Sequence, residues 1–308
     1  MERKDLISIH ELSAVEIEEI FEFAKRMKES PLDYRDSLAG KTLALLFQKP
    51  STRTRVSFEV GIYQLGGIGL YLSTSDLQLG RGETVADTAR VLGRYVDGIM
   101  ARVYAHQDIV DLARHSGVPT INGLTDLLHP CQALADYFTL LEKKSELKGL
   151  RLAYVGDGNN MAHSLLLGGA KLGVDVRIVC PPGFEPDGEI LSQARSDAAA
   201  SGAAPAPEVT NDLAGVDGAD AVYTDVWTSM GQEAEAEERR SLFEPYRVDA
   251  KLMARAAPGA LFMHCLPAHR GDEVTDEVAD SPSSVIFDEA ENRLHVQKAI
   301  LYLLMSSR

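Results

Sequence analysis

Cysteine is scarce in this 308-residue chain. The three that occur, Cys131, Cys180 and Cys265, are widely separated and odd in number, which argues against a disulfide framework and fits a reducing environment. Long apolar runs are also missing: no uninterrupted stretch approaches the roughly 18 residues that a bilayer-crossing helix needs. The start, Met1-Glu2-Arg3-Lys4-Asp5, lacks the apolar core of a signal peptide, so the cytoplasm is the expected compartment. Positive charge is in deficit, with 31 Lys and Arg against 46 Asp and Glu and a formal net charge of −15. That balance opposes nonspecific attraction to nucleic acid or to an anionic membrane, since both depend on basic surface. Aromatic residues make up only 6% of the chain, but 45% of it is apolar, enough at this length for two ordinary cores.

Against the acidic background, a local cluster of cations needs an explanation. Ser51-Thr52-Arg53-Thr54-Arg55 follows the apolar run Thr42–Phe47 and opens an amphipathic segment that reads as a helix. Backbone N–H groups at a helix start, interleaved with hydroxyl and guanidinium groups, form a receptor for a phosphate. Each charge-assisted hydrogen bond there contributes about 1.5–3 kcal/mol, against about 0.3–1 kcal/mol from the helix dipole, so the arginines should dominate. The plainer alternative is a capped helix with surface arginines.

The rest of the chain alternates between apolar runs and helical periodicity. Ser13-Ala14-Val15-Glu16 is a capping-box pattern leading into Ile17, Ile20, Phe21 and Ala24 at helical spacing. Strand-like runs follow at 42–47, 69–72, 98–103 and 119–121, separated by helical stretches such as 85–95 and 109–114. A long helical segment runs from Pro130 to about Lys144, and its charged end looks like a crossing between domains. The pattern then restarts, with strands expected at 150–155, 175–179, 221–226, 261–266 and 285–287 and a last helix at about 292–305. Such alternation predicts an α/β protein of two parallel sheets, each flanked by helices. Residues 198–207 read as a helix end and loop, and the charge run 233–240 reads as a solvated face.

In open parallel sheets ligands sit beyond the carboxyl ends of the strands, so the polar residues after each strand form the candidate site. In the first half these are Ser51 to Arg55, Arg102, and His129-Pro130-Cys131-Gln132, where Pro130 suits a first helical position and places His129 at the cap. In the second half they are Gly156 to Asn160, Asp225 with Trp227 to Gly231, and His264-Cys265-Leu266-Pro267. An anionic Asp225 at a strand end suits a cationic ligand group, and Trp227-Thr228-Ser229-Met230-Gly231 beside it supplies no arginine for an anionic one. Singly, His129 could be a helix cap, Cys265 a buried apolar thiol and Asp225 a turn former.

The ordered set STRTR, HPCQ, DVWTSMGQE and HCLPAHRG resembles the ornithine carbamoyltransferase family, from about Phe47 to Arg293. The resemblance implies a carbamoyl-phosphate-binding domain at 1–135, joined by a return of about 290–308, and an ornithine-binding domain at 136–289. It also implies an active site between the domains at the subunit boundaries of a homotrimer, with carbamoyl phosphate and L-ornithine as substrates and L-citrulline and phosphate as products, in arginine biosynthesis. By the same resemblance Ser51, Thr52, Arg53, Thr54 and Arg102 hold the phosphate, and His129 and Gln132 bind the carbamoyl group. Arg293 approaches from the terminal helix, and Gln78 reaches a neighbouring subunit's site. Asn160, Asp225, Ser229 and Met230 bind ornithine, and Cys265 and Leu266 border the reacting end. Arg53, Arg102, His129, Asp225 and Cys265 carry the catalytic roles.

No cofactor or metal is expected, because carbamoyl phosphate is an activated donor. His129, Cys131, His264, Cys265 and His269 do not show the paired spacing of a zinc site. A dinucleotide-dependent oxidoreductase is the rival from another class. Gly156-Asp157-Gly158 begins its fingerprint, but Met161 stands where a third small residue belongs and no ribose-binding acid follows the next strand at Cys180-Pro181-Pro182. A carbamoyltransferase for another amine is the nearer alternative.

Overall fold

The computed structural model describes residues 4–73, 82–228 and 236–306. The chain divides into two compact units, Met1–Ala135 with Glu291–Arg308, and Asp136–Ala290.

The first unit begins with α1 (Ala14–Glu29), whose N-cap Ser13 and Glu16 form the capping box in full and whose buried face is Ile17, Ile20, Phe21, Ala24 and Met27. It continues through β1 (Thr42–Phe47), α2 (Thr52–Gln64), β2 (Ile68–Ser73), α3 (Val85–Leu92), β3 (Gly98–Arg102), α4 (His106–Ser116) and β4 (Thr120–Leu124). The strands form a parallel sheet in the order β2-β1-β3-β4. Because β1 and β3 lie inside this sheet with helices on both faces, they read as unbroken apolar runs rather than as alternating ones. The register between β3 and β4 slips at their carboxyl ends, where Ala101 pairs with Asn122 and Arg102 with Leu124. The extra residue is Gly123, at which a Cβ would stand 2.4 Å from Met100 Sδ. This bulge sits at the end of the sheet where polar residues gather.

Helix α5 (Pro130–Lys144) contains the division between the units, which falls after Ala135. The second unit then comprises β5 (Arg151–Val155), α6 (Asn160–Leu172), β6 (Asp175–Val179), α7 (Gly188–Ser201), β7 (Glu208–Thr210), β8 (Ala221–Thr224), α8 (Ala236–Phe243), α9 (Ala250–Met253), β9 (Leu261–His264) and α10 (Asp276–Ala279). Its sheet is parallel throughout, in the order β7-β6-β5-β8-β9. Helix α6 is buried along most of its length and approaches α5 closely: a Cβ on Gly168 would lie 2.4 Å from the Tyr137 ring. The core includes Val155, Val179, Val222, Phe262 and Ile286, each side chain contributing about 1.5–3 kcal/mol of burial.

The last helix, α11 (Ile286–Met305), crosses the second division after Ala290. Within the first unit its later turns meet α1 and α2, with Lys298 Nζ donating to Gln64 Oε1 at 3.0 Å and Lys28 Nζ to Asn292 Oδ1 at 2.9 Å.

The sequence-based strand at 285–287 is not a strand. Only Ser284 bridges to Phe262, and Ile286 already opens α11, where Asp288 and Glu289 in the first turn favour a helix start. The fifth strand is β7 instead, three residues at a sheet edge, too short to show a period.

Candidate active site

In the first unit the residues expected to form an anion receptor lie at and beyond the carboxyl ends of β1 and β3. Ser51 caps α2, accepting from Thr54 N at 3.3 Å and donating to Thr54 Oγ1 at 3.2 Å. The cap leaves the remaining first-turn N–H groups of α2, which begins at Thr52, directed outward. Arg293 of α11 is buried and bridges two members of the set, with Nη1 donating to Gln132 Oε1 at 2.7 Å and Nη2 to Thr54 Oγ1 at 2.9 Å. Arg102 is buried at the end of β3.

His129 lies just before α5, its carbonyl accepting from Gln132 N and Ala133 N. Burial lowers the His129 imidazole well below its ordinary range, and the positive charges of Arg293, Arg102 and Arg53 lower it further. Arg293, Arg102 and Arg53 are thus near enough for their charge to reach the ring. A neutral imidazole among three guanidinium groups keeps one N–H for donation without adding a fourth cation. Arg55, which belongs to the same sequence motif, does not join them: it pairs with Glu59 at 3.3 Å, and its guanidinium lies 3.7 Å from the Tyr71 ring centre. An arginine two positions on from Arg53 lies about 200° around the helix and so faces the opposite side, as its 3.6-residue period requires.

Asp225 anchors the second group, in the second unit just after β8. Its Oδ1 accepts from Cys265 Sγ at 3.0 Å and from Val226 N at 2.8 Å, while Oδ2 accepts from Asn159 Nδ2 at 3.0 Å. A carboxylate has about four acceptor positions, so three donors leave room for one more, such as an ammonium group. Burial raises the Cys265 thiol well above its ordinary range, and the Asp225 charge and hydrogen bond raise it further. Cys265 is therefore a protonated donor to Asp225 rather than a thiolate. Leu266 follows with φ of 57°, and its N–H donates to His264 Nδ1 at 2.8 Å. The His264 proton must then reside on Nε2, which lies 3.1 Å from Glu273 Oε1.

Donor atoms of Asp225, His264 and Cys265 all lie within 4.8 Å of one another. Both His264 nitrogens are already committed, to Leu266 N and to Glu273, so this trio is not arranged around an ion. Of the other residues weighed for zinc, His129 and Cys131 belong to the first unit. Cys131 is buried and its thiol is pushed up to about 12.

Asn160 stands at the first position of α6. Its neighbour Asn159, which lies in the polar stretch Gly156 to Asn160 but has no role of its own in the sequence reading, caps the helix by accepting from Met161 N and Ala162 N while holding Asp225 through the other end of its amide. Another residue hidden in the sequence is Arg239, inside the run read as a solvated face. It is buried, donates from Nε to Trp227 O at 2.6 Å and from Nη2 to Asp157, and lies over the Phe184 and Phe243 rings. Gln78, Ser229 and Met230 lie outside the described residues.

The fold and these two groups define a two-unit α/β protein with buried arginines and a capped helix start in one unit and a hydrogen-bonded, buried carboxylate in the other. Residues 4–142 match the family description "Aspartate/ornithine carbamoyltransferase, carbamoyl-P binding domain", and residues 148–304 match its "Asp/Orn binding domain". The chain belongs to the aspartate/ornithine carbamoyltransferase family. It is 58% identical over 306 residues to the ornithine carbamoyltransferase of Thermococcus kodakarensis, covering 98% of this chain and 96% of that protein. It is likewise 58% identical over 305 residues to the anabolic ornithine carbamoyltransferase of Pyrococcus furiosus, with the same coverage of both. The solved structure of the ornithine carbamoyltransferase from Pyrococcus furiosus superposes with a TM-score of 0.95, covering 99% of this chain and 98% of that one at 57% identity. The anabolic enzyme from Campylobacter jejuni gives 0.93 at 41% identity, over 99% of this chain and 100% of that one.

Proposed function

We propose that the chain transfers the carbamoyl group of carbamoyl phosphate to the side-chain amine of L-ornithine, giving L-citrulline and phosphate for arginine biosynthesis in the cytoplasm. The observation that carries this reading is that one unit holds a capped helix start and a neutral His129 within reach of the charges of Arg53, Arg102 and Arg293, while the other holds an Asp225 carboxylate that has room for a cation.

The first unit binds the donor. Ser51, Thr52, Arg53, Thr54 and Arg102 hold the phosphate, and Arg293 keeps Thr54 and Gln132 in place. His129 donates to the carbamoyl oxygen as that oxygen gains charge, and Gln132 binds the carbamoyl nitrogen. The second unit binds ornithine through Asn160, Asp225, Ser229 and Met230, with Cys265 and Leu266 beside the reacting carbon, and Gln78 comes from a neighbouring subunit.

The amine attacks the carbonyl carbon, the carbon–oxygen bond to phosphate breaks, and phosphate leaves with the electron pair while the new ureido nitrogen gives up a proton. A lysine-like amine has a pKa of about 10.4, so on the order of one molecule in a thousand is neutral at physiological pH, a deficit of about 4 kcal/mol. With Cys265 held as a thiol, the proton goes to the phosphate or to solvent. The donor is already activated, so the chemistry calls for no metal and no nucleotide.

Assembly as a homotrimer belongs to the same reading. The edge strand β2 exposes Ile68 and Leu70, and α2 exposes Val56 and Tyr63 beside it, an apolar face of the kind that marks an interface.

The test offers carbamoyl phosphate with ornithine, putrescine, N-acetylornithine and aspartate in turn and identifies the product. Citrulline is the expected product, and preferential carbamoylation of another amine would overturn the acceptor assignment.

A further inference from the structure

Two carboxyl groups lie behind the acceptor residues. Asp136 on α5 and Glu289 on α11 both have 0% exposure and sit in the second unit, each within a turn of the point where its helix passes into the first. Asp136 is near enough for its charge and its side chain to act on Glu289, and two buried carboxyl groups set side by side cannot satisfy each other unless one of them carries a proton. Glu289 Oε1 finds no hydrogen-bond partner among the described residues, as expected of a buried carboxyl oxygen that needs a proton of its own to bond to an acceptor. Burial raises the Glu289 carboxyl well above its usual range, and the neighbouring Asp136 raises it further, although the His264 N–H acts the other way.

The pair belongs to a circuit that returns to Asp225. Glu289 Oε2 accepts from His264 N at 3.1 Å, immediately before Cys265, whose thiol donates to Asp225. In the other direction Asp136 Oδ2 accepts from Tyr223 Oη at 3.1 Å, and Tyr223 stacks on Tyr154 with ring centres 5.8 Å apart. Tyr154 Oη donates to Asn159 Oδ1 at 3.2 Å, and Asn159 Nδ2 holds the other oxygen of Asp225. Both edges of the Asp225 carboxylate are thus located by chains that meet at one buried pair.

We propose that Asp136 and Glu289 share one proton and act as positioning residues for the amino-acid acceptor, fixing the His264-Cys265 backbone and with it the Cys265–Asp225 contact. The positioning role rests on the carbamoyl transfer to ornithine proposed above; the shared proton does not. Neither group touches substrate. Their effect is geometric, and small misplacements of a reacting group are costly.

Glu289→Gln should preserve the circuit, because its amide donates to Asp136 while its oxygen accepts from His264 N. Glu289→Ala removes both contacts, and Glu289→Asp withdraws the group by one methylene and serves if the alanine variant fails to fold. In steady-state assays, Glu289→Ala or Glu289→Asp is expected to raise the ornithine KM about tenfold, or about 1.4 kcal/mol. Carbamoyl phosphate binding measured by calorimetry should be unchanged, and Glu289→Gln should restore the ornithine KM. Infrared spectroscopy of the unliganded protein at neutral pH should show a protonated carboxyl band that disappears in Glu289→Gln and in Asp136→Asn. Equal damage to both ligands, no rescue by glutamine, or no acid band in the unaltered protein would overturn the inference. Absence of citrulline from the unaltered protein, with the acid band present and lost in both variants, would sink the reaction while upholding the shared proton.

Discussion

At the scale of single residues, the site depends on keeping groups neutral that solvent would charge. His129 is the clearest case, because burial, and after it the charges of Arg293, Arg102 and Arg53, hold its pKa well below the ordinary imidazole value. The unfolded chain binds a proton at about 6.5 that the folded site refuses, so the protein loses stability as the pH falls through that value. Above it the contribution is constant. His129→Gln removes this one contribution, although His106 and His295, also lowered by burial, retain theirs. Thermal unfolding at pH 5 and pH 7.5 should therefore show a smaller acid loss in the variant, and equal losses would place the ring in water. The positions of His129, Arg102 and Asp225 could be read from the sequence because each lies at or beyond the carboxyl end of a strand, where this architecture concentrates ligands. Asn159 could not, since its hydrogen bond to Asp225 spans 66 positions and its identity is equally explained by the helix cap it also forms.

At the scale of elements, α8 shows how a charge run can conceal a structural group. Arg239 ties α8 to Trp227 and to Asp157 in the turn after β5, close to the Asn159 that holds Asp225. Burial raises the Asp157 carboxyl despite the neighbouring guanidinium, so removing the arginine would leave a carboxylate both buried and uncompensated. Arg239→Met is expected to cost about 3–5 kcal/mol in urea unfolding at pH 8, and less at pH 5, where Asp157 can take up a proton. A loss within about 0.5 kcal/mol at both pH values would show the contact to be a surface pair. The run Thr42–Phe47 announced a strand because both faces of β1 are covered. By contrast, Glu208–Thr210 carries no such signal, and Ile286-Phe287 resembled a strand only until the acidic first turn of α11 was taken into account. Arg239 is hidden in its charge run because neighbouring charges in sequence do not reveal which one the fold turns inward.

At the scale of the whole molecule, the two units carry separate chemical tasks, and the chain connects them through α5 and α11, the helices that also bear Asp136 and Glu289. The proposed trimer gives the apolar edge at β2 a partner. Sedimentation equilibrium is expected to report a particle of three chains of 33.5 kDa each, and a monomer at micromolar concentration would remove that part of the proposal. The central claim is direct transfer from a phosphate-bearing donor to a diamino acid, with no covalent enzyme intermediate. The most direct measurement uses carbamoyl phosphate labelled with carbon-13 and follows the label by NMR in the presence and absence of ornithine. All of the label should pass to the side-chain nitrogen as citrulline, with one phosphate released per transfer and no enzyme-dependent turnover when ornithine is withheld. Transfer to another acceptor, or label appearing on the protein, would contradict it.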